Sequence, residues 1–218
     1  MAIIEDFLKE AEDRYKDRDQ IRNKNLQQIK NARKKHDIST ADKSEKIQYR
    51  RSLIKKRNDT FAWERVIGKD DLLSINYLEF GKKASRTICR IKIKDLKRGE
   101  LLGYGTGFMV SQMLLMTNWH VLKNQELGKR SLAEFNFEND MNFETKDSEK
   151  FSLESDRFFY TNKALDLTLV AVSPVTDDGV SLKKFGHLKL LEKSGKDLLG
   201  EHVTIIQHPN KKTDFCFQ

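Results

Sequence analysis

Residues 105–121 read Gly105-Thr106-Gly107-Phe108-Met109-Val110-Ser111-Gln112-Met113-Leu114-Leu115-Met116-Thr117-Asn118-Trp119-His120-Val121. Two short apolar runs flank Ser111-Gln112, which is the pattern of two strands joined by a tight turn. Gly103, Gly105 and Gly107 invite comparison with the dinucleotide-binding fingerprint. That pattern needs its last glycine where Phe108 stands, with a helix to follow. Strand-like residues follow instead, so no phosphate site is expected. Glycines alternating along a strand mark a tight barrel bend or a close backbone approach.

The same alternation extends to both sides. Upstream, Thr87-Ile88-Cys89-Arg90-Ile91-Lys92-Ile93 places Cys89, Ile91 and Ile93 on one face, expected inward, and Arg90 and Lys92 on the other, expected outward. Downstream, residues 132–137, 151–153, 158–160 and 167–172 repeat short apolar runs between charged connections. Many short strands of this kind predict a small antiparallel β-barrel.

Before Gly68 the chain reads differently. Up to Ile67 there is neither glycine nor proline, and the whole chain has only Pro174 and Pro209. Ile4, Leu8, Ala11 and Tyr15 recur at helical spacing, and Leu26, Ile29 and Ala32 resume it. Ser39-Thr40-Ala41-Asp42 resembles a capping box, after which Ile47, Ile54 and Phe61 keep a seven-residue spacing. Two helices joined around Lys35 to Thr40 are expected, as a helical hairpin. Their apolar stripe is thin, so they should pack on the next domain or on a partner protein. The reading is mainly β with an N-terminal helical segment, divided into a helical module at 1–67 and a β domain at 68–218.

Bulk composition narrows the function classes. A hydrophobic fraction of 38% beside a charged fraction of 34% fits a compact part joined to charged helices. The net charge of +8 raises the question of nucleic acid. From Asp42 to Arg57 seven basic residues face two acidic ones, but a single aromatic residue, Tyr49, is interleaved there, so a solvated helix face is the preferred reading. Cys89 and Cys216 lie far apart and form neither a disulfide framework nor a zinc motif, which fits a reducing, cytoplasmic compartment. No cofactor or metal is expected. No apolar run is long enough for a signal peptide or a bilayer span, so neither secretion nor a membrane is expected.

Two motifs carry chemistry. One is Gly105 to Val110 followed by Thr117-Asn118-Trp119-His120-Val121. The other is Ala164-Leu165-Asp166-Leu167-Thr168-Leu169-Val170. Together they resemble the trypsin-like serine peptidases, especially the bacterial and HtrA-like members with a GTGF strand. In those proteins T-N-x-H-V and D-[IL]-[AT]-L segments occur in this order. Val203-Thr204-Ile205-Ile206-Gln207-His208-Pro209 resembles an early strand of the family's second barrel, and Arg65 to Leu73 resembles an R-[IV]-I-G-x-[DN]-D-L-L opening of bacterial members.

The resemblance implies a chymotrypsin-like fold with the first barrel and the start of the second. It makes His120 the general base and Asp166 the acid that orients it, for hydrolysis of peptide bonds in a protein or peptide substrate. His36, His187, His202 and His208 lack such context and are read as structural or surface residues. Val121 stands where secreted trypsins carry a disulfide cysteine, in agreement with an intracellular setting. Arg65-Val66-Ile67-Gly68 is similar to the I-V-G-G activation site of digestive proteases, although an ordinary linker is the preferred reading.

The family's nucleophile sits in Gly-x-Ser-Gly, and the 218 residues contain none. Ser194-Gly195 is the nearest imitation, but Glu192-Lys193 precede it and it comes before Val203, too early. The expectation is a chain that stops short of its serine: a truncated product, a disrupted gene, or half of a split enzyme completed by another chain. The alternative is a non-catalytic interaction protein that uses the helices and a degenerate protease fold as a binding surface.

Overall fold

The computed structural model describes residues 9, 12–35, 42–56, 75–94, 100–199 and 203–208. The chain divides into two compact units, Met1–Tyr77 with Leu191–Val203, and Leu78–Leu190 with Thr204–Gln218.

The first unit is helical, with α1 at Asp19–Lys34 and α2 at Ser44–Lys56. Ala32 and Ile47 are buried, while Tyr15, Ile21 and Leu26 remain exposed, so the apolar stripe is as thin as its sequence. The segment from Leu191 to Leu199 packs on the start of α2. Asp42 Oδ2 accepts from the Leu199 amide at 3.2 Å, and Arg50 Nη1 donates to the Lys196 carbonyl at 2.9 Å. Gly195 has φ +96°, and a Cβ there would lie 2.6 Å from the Lys46 carbonyl oxygen. Only glycine permits that approach. The capping-box residues 39–41 and Phe61 lie outside the described residues.

The second unit is built on seven antiparallel strands: β1 Ile88–Lys94, β2 Leu101–Met109, β3 Leu114–Thr117, β4 Leu132–Phe135, β5 Glu149–Ser152, β6 Phe159–Asn162 and β7 Leu167–Ala171. Their order is β5-β4-β1-β2-β3-β7-β6. The far end of β5 reaches β7 through a Leu153–Val172 bridge. The Glu154 amide bonds the Ala171 carbonyl at 2.8 Å, and the Ser173 amide bonds the Ser152 carbonyl at 2.9 Å. These bonds curl the sheet into a barrel, with β6 pairing along Leu167 to Val170 of β7. This is the antiparallel β fold expected from the short alternating runs. Two helices that the alternation did not reveal, α3 at Asn76–Ser85 and the short α4 at Gln125–Arg130, precede β1 and β4.

Alternation places one set of side chains inside. Cys89, Ile91, Met109, Leu115, Ala133, Phe135, Phe151 and Val170 are wholly buried, and Ile93 packs against them. A 3₁₀ turn at Leu182–Phe185 lays Phe185 on Phe135, with centroids 4.6 Å apart, and edge-on to Phe151. Burial pushes the free Cys89 thiol well above its ordinary pKa, so it behaves as a small core residue.

Arg90 departs from the sequence reading. It does lie on the face opposite Cys89 and Ile91, yet it is 5% exposed. Its register partner across the ladder is Glu134, which its Nε reaches at 2.8 Å, and its guanidinium lies 3.1 Å from the Phe137 ring centroid. Lys92 and Ser148 also donate to Glu134, each at 2.8 Å. A charge leaves solvent only when it is paired and hydrogen-bonded, and here the second face of the sheet supplies both. Val203 to His208, read as a strand, forms no ladder among the described residues. A strand requires a partner edge, and alternation alone does not provide one.

Candidate active site

The antiparallel register of β3 and β7 pairs Thr117 with Thr168. His120 follows Thr117 by three residues and Asp166 precedes Thr168 by two, so both emerge at the same end of adjacent strands. Thr117 Oγ1 donates to the Thr106 carbonyl at 2.8 Å, and Thr168 Oγ1 donates to the Leu122 carbonyl at 2.9 Å. These bonds clamp the turn bearing His120 between β2 and β7. Within it, the Val121 and Leu122 amides both return to the Asn118 carbonyl, while the two side chains anchor in the core.

Gly105 makes room for this turn. A Cβ there would lie 2.4 Å from Val121 Cγ1. At Gly107 it would lie 2.8 Å from Leu115 and 2.9 Å from Ile91. The spaced glycines of β2 therefore mark close approach, as their pattern suggested.

Asp166 closes the β6–β7 turn. The Leu165 amide bonds Asn162 Oδ1 at 3.0 Å, and the Asp166 amide bonds the Lys163 carbonyl at 3.1 Å. His120 Nδ1 lies 3.0 Å from both carboxylate oxygens of Asp166. The His120 amide donates to Oδ1 at 3.1 Å, and Asn118 Nδ2 donates to Oδ2 and to the Asp166 carbonyl, each at 3.2 Å. The side chains of His120 and Asp166 keep 26% and 18% of their exposure. The pair is sheltered but open to an incoming group.

This geometry has a definite chemical consequence. A carboxylate at Nδ1 favours the tautomer protonated there and leaves the lone pair on Nε2. The imidazole can then take a proton at Nε2 while the carboxylate offsets the charge that forms.

The family model described as a trypsin-like peptidase domain matches residues 105–218. The chain belongs to that family. A protein of Sinorhizobium fredii (strain NBRC 101917 / NGR234), described as uncharacterized protein y4fB, is 39% identical to the chain over 158 residues. The match takes in 71% of this chain and 24% of that protein, so the chain spans about a quarter of its relative's length.

Within the family framework the structure brings His120 and Asp166 together. Asn118 and the His120 amide complete the grip on the carboxylate. Neither was assigned that part from sequence, although Asn118 lies inside the T-N-W-H-V segment that pointed to the site. His187 is exposed. His208 is buried, its amide bonded to Thr106 Oγ1 at 2.9 Å and its ring 6.1 Å from that of Phe137. Burial, then the nearby Arg90 charge, push the His208 pKa down to about 4. His36, His202 and the Arg65–Gly68 segment lie outside the described residues. Ser194-Gly195 belongs to the helical unit, where Gly195 closes against Lys46. Among the described residues no cluster of His, Cys, Asp or Glu could hold a metal ion, and no helix is long and apolar enough to cross a membrane.

Proposed function

We propose that this chain supplies the base and the orienting acid of a serine endopeptidase of the GTGF, HtrA-like type, the nucleophilic serine coming from residues outside 1–218. The observation that carries the reading is the two-oxygen contact of Asp166 with His120 Nδ1, braced by Asn118. In the reaction, the serine oxygen bonds the substrate carbonyl carbon as its proton passes to His120 Nε2. Collapse breaks the C–N bond, and the same proton goes to the departing amine. Water then repeats the sequence on the acyl-enzyme. Asp166 stays ionised and offsets the imidazolium charge. A reducing, cytoplasmic setting accords with the unpaired Cys89 and with valine at 121.

The test is hydrolysis of a casein-type substrate, and labelling by a fluorophosphonate, with the full-length gene product. Both should be present in the unmutated protein and lost in His120→Ala. Full activity in His120→Ala would reject the assignment.

A second reading is a non-catalytic binding protein. It is favoured by the absence of Gly-x-Ser-Gly from the 218 residues and by Met141 and Phe143, exposed at 97% and 87% on the turn between β4 and β5. A full-length product that lacks activity but captures a protein partner through that turn would select it.

A further inference from the structure

Thr106 joins two parts of the β unit. It lies between Gly105 and Gly107, so its side chain is the only one that residues 105–107 present. On one side this stretch pairs with β1, Thr106 standing opposite Arg90. On the other side the β2–β3 ladder runs only as far as Gly107 and Thr117. Past that pair, the Thr106 carbonyl accepts from Thr117 Oγ1 at 2.8 Å. His120 follows Thr117 by three residues, and Val121 closes on Gly105.

The outer side of Thr106 is a seat. Glu134, Arg90 and Thr106 are register partners across β4, β1 and β2, so their side chains share one face of the sheet. The Phe137 ring stacks on the Arg90 guanidinium. His208 comes down at this place. Its amide donates to Thr106 Oγ1 at 2.9 Å, and its ring lies 6.1 Å from that of Phe137. His208 is 4% exposed, whereas Ile205, three residues earlier, is 51% exposed. Residues 204–208 therefore meet the barrel at His208.

Thr106 thus accepts from His208 through its side chain and from Thr117 through its carbonyl. Threonine is stiff at χ1, so a bond that fixes Oγ1 also fixes the backbone of its own residue. The glycines on either side give that backbone little steric restraint of their own. Loosening the bond at Oγ1 loosens the carbonyl that anchors Thr117, and with it the turn that presents His120 Nδ1 to Asp166.

We propose that Thr106 and His208 are positioning residues for His120. The seating of His208 on Thr106 sets the orientation of the imidazole, and so ties the segment at 204–208 to the His120–Asp166 pair. The bond that His120 helps to cut rests on the peptidase reading, whereas the coupling does not.

Nitrogen-15 NMR of the histidine side chains in the 218-residue chain tests the proposal, at about pH 8, where an ordinary imidazole is neutral. His120 is assigned by its loss in His120→Gln. The ring nitrogen shifts report the tautomer, and Asp166 favours the form protonated at Nδ1. Thr106→Val removes the acceptor and keeps the shape of the side chain. It should move the His120 shifts toward the Nε2-protonated form, and Thr106→Ser, which keeps the oxygen, should restore them. His208→Ala gives up the contact with Phe137 and should move them the same way. Phe185→Leu thins the core at Phe135 and Phe151 and should leave them in place. In the full-length product Thr106→Val should lower kcat about tenfold with KM little changed. Unchanged His120 shifts in Thr106→Val or in His208→Ala overturn the proposal. So does a failure of Thr106→Ser to restore them, or an equal change in Phe185→Leu. Coupling seen by NMR in a full-length protein that hydrolyses no peptide overturns the peptidase reading alone.

Discussion

Asp166 sits at φ +49°, in the left-handed region that bulky side chains avoid and that aspartate and asparagine tolerate. Asp166→Asn should therefore keep the fold and alter the chemistry. An amide offers a donor where Nδ1–H needs an acceptor, which favours the wrong tautomer. In the full-length protein kcat should fall about ten-thousandfold with KM little changed, as steady-state kinetics would show. Asn118→Ala removes the donor that holds Oδ2. The carboxylate then keeps its contacts with His120 but is positioned less tightly, and a drop in kcat of about tenfold to a hundredfold is expected. His208 is a different case, since its pKa is depressed from 6.5 to about 4 in the folded chain. The unfolded chain takes up a proton between those values and the folded chain does not. Stability is thus fully present above pH 6.5 and is lost as pH falls toward 4, with a slope of at most about 1.4 kcal/mol per pH unit. Urea midpoints measured across that window should fall less steeply for His208→Gln.

The strands matter as carriers of these residues. Strand β2 lies against the His120 turn only because Gly105 has no side chain. Gly105→Ala forces Val121 to move, at a cost of about 1–3 kcal/mol, and should lower activity by shifting His120. Adding Val121→Ala opens space for the new methyl, so the double variant should regain part of the lost activity; additive losses would show that the two positions do not interact. On the other face of the sheet, Glu134 binds β1 to β4 through Arg90 and Lys92. Burial alone would raise its pKa, but hydrogen bonds from Lys92, Arg90 and Ser148 outweigh burial and hold it below the usual carboxylate range. This contribution is present at neutral pH and lost as pH falls through the depressed value. Glu134→Gln leaves Arg90 buried without its counter-charge, and denaturant unfolding at neutral pH should show a loss of about 3 kcal/mol.

For the molecule as a whole, the barrel places His120 and Asp166 at one end of two strands, and on the proposed reading the rest of a peptidase's machinery must meet them there. The 218-residue chain has no Gly-x-Ser-Gly, so fluorophosphonate should not label it, whether unmutated or as His120→Ala. Removing the nucleophile of a comparable triad lowers kcat on the order of a millionfold. Labelling of the unmutated 218-residue chain that disappears in His120→Ala would reveal a serine within it acting with His120. Labelling that requires a second chain would instead show a split enzyme.

Much of this was legible in the sequence because it depends on local order. Alternation and short apolar runs between charged connections indicated all seven strands, and the order of T-N-W-H-V and D-L-T-L singled out His120 and Asp166 by resemblance. The helix over Asn76–Ser85 escaped because its apolar residues, Leu78, Phe80 and their neighbours, leave no clean buried stripe; both are exposed. Arg90 was assigned to solvent because a charge on the outer face of a strand usually lies there. Its burial depends on Glu134, Phe137 and Tyr104, which no spacing rule relates to it. The brace of Asn118 on Asp166 and the contact of Lys163 with Trp119 likewise join residues more than 40 positions apart. Sequence alone determined which residue types alternate and therefore which face of each strand avoids water. Tertiary structure decided which distant charges meet, because pairing between strands depends on register and closure, and these emerge only when the whole barrel forms.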